Sequence, residues 1–194
     1  MYSTNTVKNS YNLKNNIIIT GPNAAGKTTM LKTTLFNIIL SQQIGVGFYS
    51  SAKITPFKYI HSYLNIPDTS GRDSLFQAEA RRCKEILDII QSNPTDRHFC
   101  IFDELYSGTN PYEAVSSAHA YLDYLTKNKK VKFILTTHYV NLCKSLKDNK
   151  QIENKFMKID VLNNNEFNYL YKLSSGISKI KGGLKVLTDL EYPE

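Results

Sequence analysis

Gly21-Pro22-Asn23-Ala24-Ala25-Gly26-Lys27-Thr28 is the stretch that decides the fold of this 194-residue chain. It satisfies the pattern GxxxxGK[ST] at Gly21, Gly26, Lys27 and Thr28. The preceding run, Asn16-Ile-Ile-Ile-Thr20, is apolar and β-branched and reads as a buried strand. Over residues 27–40, Met30, Leu31, Leu35, Ile38 and Ile39 recur at helical spacing. A strand, a glycine-rich turn and a helix in that order aim backbone N–H groups and the positive end of a helix dipole at a phosphate. In this setting Lys27 would neutralise β- and γ-phosphates, and Thr28 would offer its hydroxyl to magnesium.

Two further stretches complete the chemistry. His98-Phe-Cys-Ile-Phe-Asp103-Glu104 is an apolar strand closing on adjacent acids. Taken alone, such a pair is a solvated approach to a helix. Beside a phosphate loop it suits hydrolysis, with Asp103 holding magnesium, usually through water, and Glu104 polarising the attacking water. Ile134-Leu-Thr-Thr-His138 places a histidine after a third strand, where ATPases carry a polar sensor for the γ-phosphate. The implied ligands are ATP and Mg2+.

Around these motifs, strands and helices alternate. Residues 74–90 form the clearest amphipathic helix, with Leu75, Ala78, Ile86 and Ile89 or Ile90 on one side and Arg81, Arg82 and Lys84 off it. Asp73 or Ser74 can cap its start, and Asn93-Pro94 ends it. A second clear helix covers residues 112–125, and a strand covers 131–136. Residues 45–50 read as another strand, followed by a less regular segment through Pro56 and Pro67. The β-rich runs 156–161 and 167–173, joined by Asn163-Asn-Asn165, form a hairpin, and a short helix is expected over 184–190. The expected fold is α/β: one domain over residues 1–194, a mostly parallel sheet flanked by helices, with the C-terminal hairpin at its edge.

Composition excludes several other classes. No apolar run is long enough for a bilayer helix, and the polar N-terminus lacks a secretory core. Cys83, Cys100 and Cys143 are too scattered for a disulfide framework or metal-ligand spacing. A soluble, intracellular protein is expected. The net charge of +7 invites a nucleic-acid reading. However, Lys, Asn and Ile are abundant together, as an AT-rich coding sequence would produce. The basic stretch Lys127-Asn-Lys-Lys-Val-Lys132 therefore reads first as a solvated connection.

With their neighbours, these motifs resemble the ATPase domain of the DNA mismatch-repair MutS family, within the ABC ATPase superfamily of P-loop NTPases. Thr20-Gly-Pro-Asn-Ala-Ala-Gly-Lys-Thr-Thr29 resembles that family's loop, including its Pro22-Asn23 pair. Asp103-Glu-Leu-Tyr-Ser-Gly-Thr109 is similar to its DE-x-x-x-GT run, and Thr136-Thr-His-Tyr139 to its TTHY-like segment. Ser70-Gly-Arg-Asp-Ser-Leu-Phe-Gln-Ala-Glu79 resembles its signature, an S/T-x-F-x-x-E pattern opening a long helix. Order and spacing agree from about residue 7 to residue 192.

The resemblance implies composite ATP sites between two domains, in a homodimer or a MutS-like heterodimer. Residues 21–29 (Gly21, Pro22, Asn23, Ala24, Ala25, Gly26, Lys27, Thr28, Thr29) would hold the nucleotide, with Asn23 supporting it. Ser74, equally well explained by the sequence alone as a helix N-cap, would reach a partner's γ-phosphate in trans, and Ser107 to Thr109 would lie at the seam. Val7 to Asn9 would flank the adenine. Ala24-Ala25 in place of Met-Gly, Asp73-Ser74-Leu75-Phe76 in place of Ser-Thr-Phe, and Asn110-Pro111 in place of Ser-Thr point to a divergent branch. The family's mismatch-reading, connector, lever and clamp regions have no counterpart here, so the expectation is a module or fragment of a longer protein. Mismatched DNA would be met through those other regions. The expected function is an ATPase whose turnover drives conformational change on DNA. A nucleotide-gated interaction module with little turnover in isolation is the alternative.

Overall fold

A computed structural model describes residues 6–64, 66, 74–162 and 166–180. Its centre is β1 (Asn16–Thr20), five residues with every position buried. α1 (Lys27–Ile44) leads from β1 to β2 (Tyr59–Tyr63), α2 (Leu75–Ser92) to β3 (His98–Asp103), and α3 (Pro111–Thr126) to β4 (Val131–Thr137). The short α4 (Val140–Ser145) then leads to β5 (Ile152–Val161) and β6 (Phe167–Ser175). These form one six-stranded sheet in the order β2-β3-β4-β1-β5-β6. All pairings are parallel except β5 with β6.

Side-chain alternation divides the core into two layers. Ile17, Ile19, Phe99, Ile101 and Ile134 face α1, meeting Met30, Leu31, Leu35 and Ile38. On the opposite face, Ile18, Cys100, Phe102, Phe133 and Leu135 meet α2, α3 and α4. Strands covered on both faces read as continuous apolar runs, which is why Asn16-Ile-Ile-Ile-Thr20 carries no polar alternation.

The structure departs from the sequence expectation in four places. Residues 45–50 are not a strand: α1 continues to Ile44 and ends at Gly45, whose φ of 73° is a left-handed cap. The strand lies later, at β2, where His61 and Tyr63 are buried beside β3. β5 starts at Ile152 and pairs in parallel with β1, so it extends the core sheet, and only β6 is an added edge. On α2, Glu79 is buried where the helical pattern favoured Ala78. The expected helix over 184–190, the Asn163–Asn165 turn and Ser70–Asp73 of the signature stretch lie outside the described residues.

Asn110-Pro111 has a local reason. Asn110 caps α3 by accepting from Tyr112 N at 3.1 Å and Glu113 N at 3.0 Å, and Pro111 occupies the first helical position, where it has no N–H to lose. Of the basic stretch, residues 127–130 form the α3–β4 connection and Val131 and Lys132 open β4; Lys127 pairs with Asp123 at 3.6 Å and Lys132 donates to Lys14 O at 2.7 Å.

Candidate active site

Three neighbouring strands, β3, β4 and β1, end at the same level, because Asp103 registers with Thr136 and Thr20 with Thr137. The crevice beyond such strand ends is where open α/β sheets gather polar groups. Here the backbone leaving β1 turns through Gly21 to Gly26 and starts α1. Ala24 takes a left-handed φ of 60°, and Gly26 a φ of 91°. A Cβ at Gly26 would also crowd the Tyr171 ring, meeting Cδ1 at 3.0 Å. Gly26 provides no side-chain cap for α1, whose first turn carries no acidic residue.

Lys27 lies beneath this loop, 5% exposed. Its ammonium donates to Gly21 O at 2.9 Å and Pro22 O at 3.1 Å. Burial lowers its pKa, partly opposed by the charges of Glu104 and Asp103. Thr28 Oγ1 stands 3.1 and 3.0 Å from the two carboxylate oxygens of Asp103. The Thr136 hydroxyl donates to Asp103 Oδ1 from the adjacent strand.

Glu104 follows in a left-handed conformation, φ 56°, with its N–H donated to Thr136 O at 3.0 Å. That turn directs its carboxylate to His138 Nε2, 2.6 Å away, with the two side chains 41% and 38% exposed. A carboxylate at that distance puts the proton on Nε2. The His138 hydrogen bond is the main reason Glu104 sits below the usual carboxylate range; the charges of His138 and Lys27 add to it, and burial opposes it. Lys27 Nζ stands 3.5 Å from the same His138 nitrogen. The structure therefore brings Lys27, Thr28, Asp103, Glu104 and His138 together.

A cleft of about 1980 Å³ opens from this cluster, lined by Val7, Asn9, Asn23, Thr28, Glu104 and Tyr171 among others. The N-terminal segment is pinned there, because Asn9 Nδ2 donates to Tyr171 O at 2.9 Å and Leu173 N donates to Asn9 Oδ1 at 2.7 Å. Tyr171 had no sequence signal. It lies 145 positions beyond Gly26 in an ordinary β-rich run, and only the β5–β6 pairing brings it over the loop. Thr136 was legible only as part of Thr136-Thr-His-Tyr139.

Ser74 is placed elsewhere, at the start of α2. It accepts from Gln77 N at 3.3 Å, and Gln77 Oε1 accepts from Ser74 N at 2.8 Å, a reciprocal capping box. Ser107 and Gly108 lie against the same end of α2, near Leu75 and Glu79. A metal ion at Asp103 and Thr28 fits the donor set, since oxygen ligands suit magnesium. The uncapped start of α1 fits phosphate. Among the described residues, no helix is long and apolar enough to cross a membrane.

Comparison with known proteins gives one consistent result. The model of the family MutS domain V matches residues 17–194. A DNA mismatch repair protein MutS of Persephonella marina is 31% identical over 172 residues, covering 87% of this chain and 19% of that protein. The corresponding protein of Parabacteroides distasonis is 34% identical over 174 residues, covering 88% and 19%. An Endonuclease MutS2 of Fusobacterium nucleatum is 31% identical over 182 residues, covering 92% and 22%. The chain thus spans about a fifth of the length of the curated relatives it matches.

Proposed function

The chain belongs to the MutS family, in its domain V, and from that premise we propose that it is the magnesium-dependent ATPase domain of a MutS-like mismatch-repair protein. One observation carries the reading: the Thr28 hydroxyl, the Asp103 carboxylate and the Glu104–His138 pair meet at the ends of adjacent strands, beside a loop that buries Lys27.

Each residue has a distinct task. The N–H groups of residues 21–29 and the start of α1 receive the phosphates. Lys27, a buried cation, exchanges its bonds to Gly21 O and Pro22 O for phosphate oxygens. Thr28 and Asp103 hold magnesium, which when bound neutralises charge on the phosphate oxygens. Glu104, held ionised by His138, orients and polarises water for in-line attack. His138, between Glu104 and Lys27, is placed to sense the γ-phosphate. The cleft between Tyr171 and Val7–Asn9 takes the base, with the Tyr171 ring as its stacking surface.

By family resemblance the site is one half of a composite. Ser74 and residues 107–109 present to the nucleotide of a second MutS-type domain, and turnover changes the conformation of DNA-bound regions outside this chain. Identity of 31% both to a MutS and to a MutS2 is in keeping with a divergent branch of the MutS family. The test is ATP affinity together with magnesium-dependent phosphate release. Lys27→Ala is expected to weaken ATP binding about 100-fold. An unchanged Kd, or release indifferent to magnesium, sinks the assignment.

The second reading, a nucleotide-gated interaction module, is favoured by the role of Ser74, which is already committed to capping its own helix. Sedimentation of Glu104→Gln separates the two. An ATP-dependent dimer supports the ATPase, and an ATP-bound monomer without turnover in the parent supports the module.

A further inference from the structure

Glu79 is the buried acid of α2, 2% exposed on a helix whose other buried residues are Cys83, Ile86 and Ile90. A carboxylate in such surroundings is strongly disfavoured unless its lone pairs are taken up. It accepts from Ser107 N at 3.0 Å, Ser107 Oγ at 2.9 Å and Gly108 N at 3.1 Å. The Tyr63 hydroxyl, beside this carboxylate, accepts from Tyr106 N at 3.3 Å. Of the three successive N–H groups of residues 106–108, Glu79 thus holds two and Tyr63 the third.

Those amides belong to the loop that begins with Asp103 and Glu104. The loop has two non-glycine residues in the left-handed region, Glu104 at φ 56° and Tyr106 at φ 59°. Such residues cost about 1–2 kcal/mol each and persist only where surrounding contacts over-determine them. Glu104 N–H to Thr136 O secures one end of the turn. Glu79 secures the other. Steric fit agrees, since a Cβ on Gly108 would lie 2.6 Å from Leu75 Cγ and 2.8 Å from Phe76 N, so the loop is seated directly on the first turn of α2.

We infer that Glu79 is a positioning residue for hydrolysis: by anchoring residues 107–108 to α2, it holds the left-handed turn that directs Glu104 to His138. It also ties that turn to the end of α2 that carries Ser74, so displacement of one moves the other. The inference rests on the ATPase reading for its catalytic consequence, but its structural content can be measured without turnover.

The test compares the parent chain with Glu79→Gln, whose Nε2 would face an N–H donor in place of an acceptor. Three readouts are needed: ATP affinity, kcat at saturating ATP, and amide hydrogen exchange. The expected result is an ATP Kd within threefold of parent, kcat lowered about tenfold or more, and exchange at Glu104 and Tyr106 accelerated about tenfold, with Ile18 and Phe133 unchanged. A merely structural role would instead accelerate exchange at Ile18 and Phe133 together with Glu104, leave kcat per ATP-bound molecule unchanged, and overturn the inference. Tyr63→Phe and Ser107→Ala each remove hydroxyl bonds at the network and keep the test decisive if Glu79→Gln does not fold. Both are expected to shift kcat and Glu104 exchange in the same direction, about threefold. Parental values in both variants overturn the inference. If the parent binds ATP without turnover, the ATPase reading fails, and exchange at Glu104 still decides whether Glu79 positions it.

Discussion

At its N-terminal end β3 begins with His98, fully buried, and at its C-terminal end it delivers Asp103 and Glu104 to His138. Both ends pair a histidine with a polar partner at hydrogen-bonding distance. At the closed end, His98 Nε2 donates to Asn93 O at 2.9 Å, and its Nδ1 accepts from His61 Nε2 at 3.0 Å. Tyr59 stacks on the His98 ring, centroids 4.9 Å apart. At the open end, Glu104 and His138 keep about two fifths of their side-chain surface, and Glu104 lines a cleft large enough for a ligand. Residue type does not separate a structural histidine from one in a candidate site. What separates them is whether the neighbours use every lone pair and fill the surrounding space.

The largest effect should come at the open end. Glu104→Gln keeps shape while removing the charged oxygen, so kcat should fall about 1000-fold with ATP affinity nearly unchanged. Single-turnover hydrolysis beside a nucleotide titration measures both, and parental turnover would mean another group activates the water.

At the closed end the consequence is stability. Burial, aided by the charges of His98 and Arg82, lowers the His61 pKa from 6.5 to about 4. A histidine depressed on folding contributes stability in full above pH 6.5, and loses it as pH falls toward 4, because only the unfolded chain takes up the proton. The loss amounts to about 3 kcal/mol at most. Urea unfolding between pH 7 and pH 4 should show this slope and should find it flattened in His61→Phe. An equal slope in that variant assigns the acid sensitivity to other groups.

The smallest effect sharpens the comparison directly. His138→Asn keeps a donor toward Glu104 and removes the ring, and kcat should fall about tenfold while thermal stability stays close to parental. A large drop in melting temperature would show that the open end, too, is structural.

The contrast also shows what could be read from the chain. Lys27, Thr28, Asp103, Glu104 and His138 were legible because each sits in a short motif at the end of a strand whose apolar run is itself recognisable. Residues 45–50 misled for a local reason: the apolar Val46, Phe48 and Tyr49 look β-like, yet they follow a glycine cap and remain largely on the surface. β2 was missed because Tyr59-Ile-His-Ser-Tyr63 buries His61, a polar residue that acquires a partner only from β3. The helical pattern put Ala78 on the buried side of α2 and left Glu79 only as the last residue of the signature stretch, because periodicity does not register hydrogen-bond donors supplied by a loop 28 residues away.

The sequence by itself determined the strand-loop-helix at Gly21 to Thr28, the acidic close of β3 and the α/β alternation, since these depend on residues within a few positions of one another. Only the tertiary structure decided that β5 lies parallel beside β1, that Tyr171 covers Gly26, that Glu79 anchors the loop after Glu104, and which histidine is sealed and which is open. Those outcomes depend on burial and on partners far apart in the chain, and a buried polar group takes its meaning from what folding places against it.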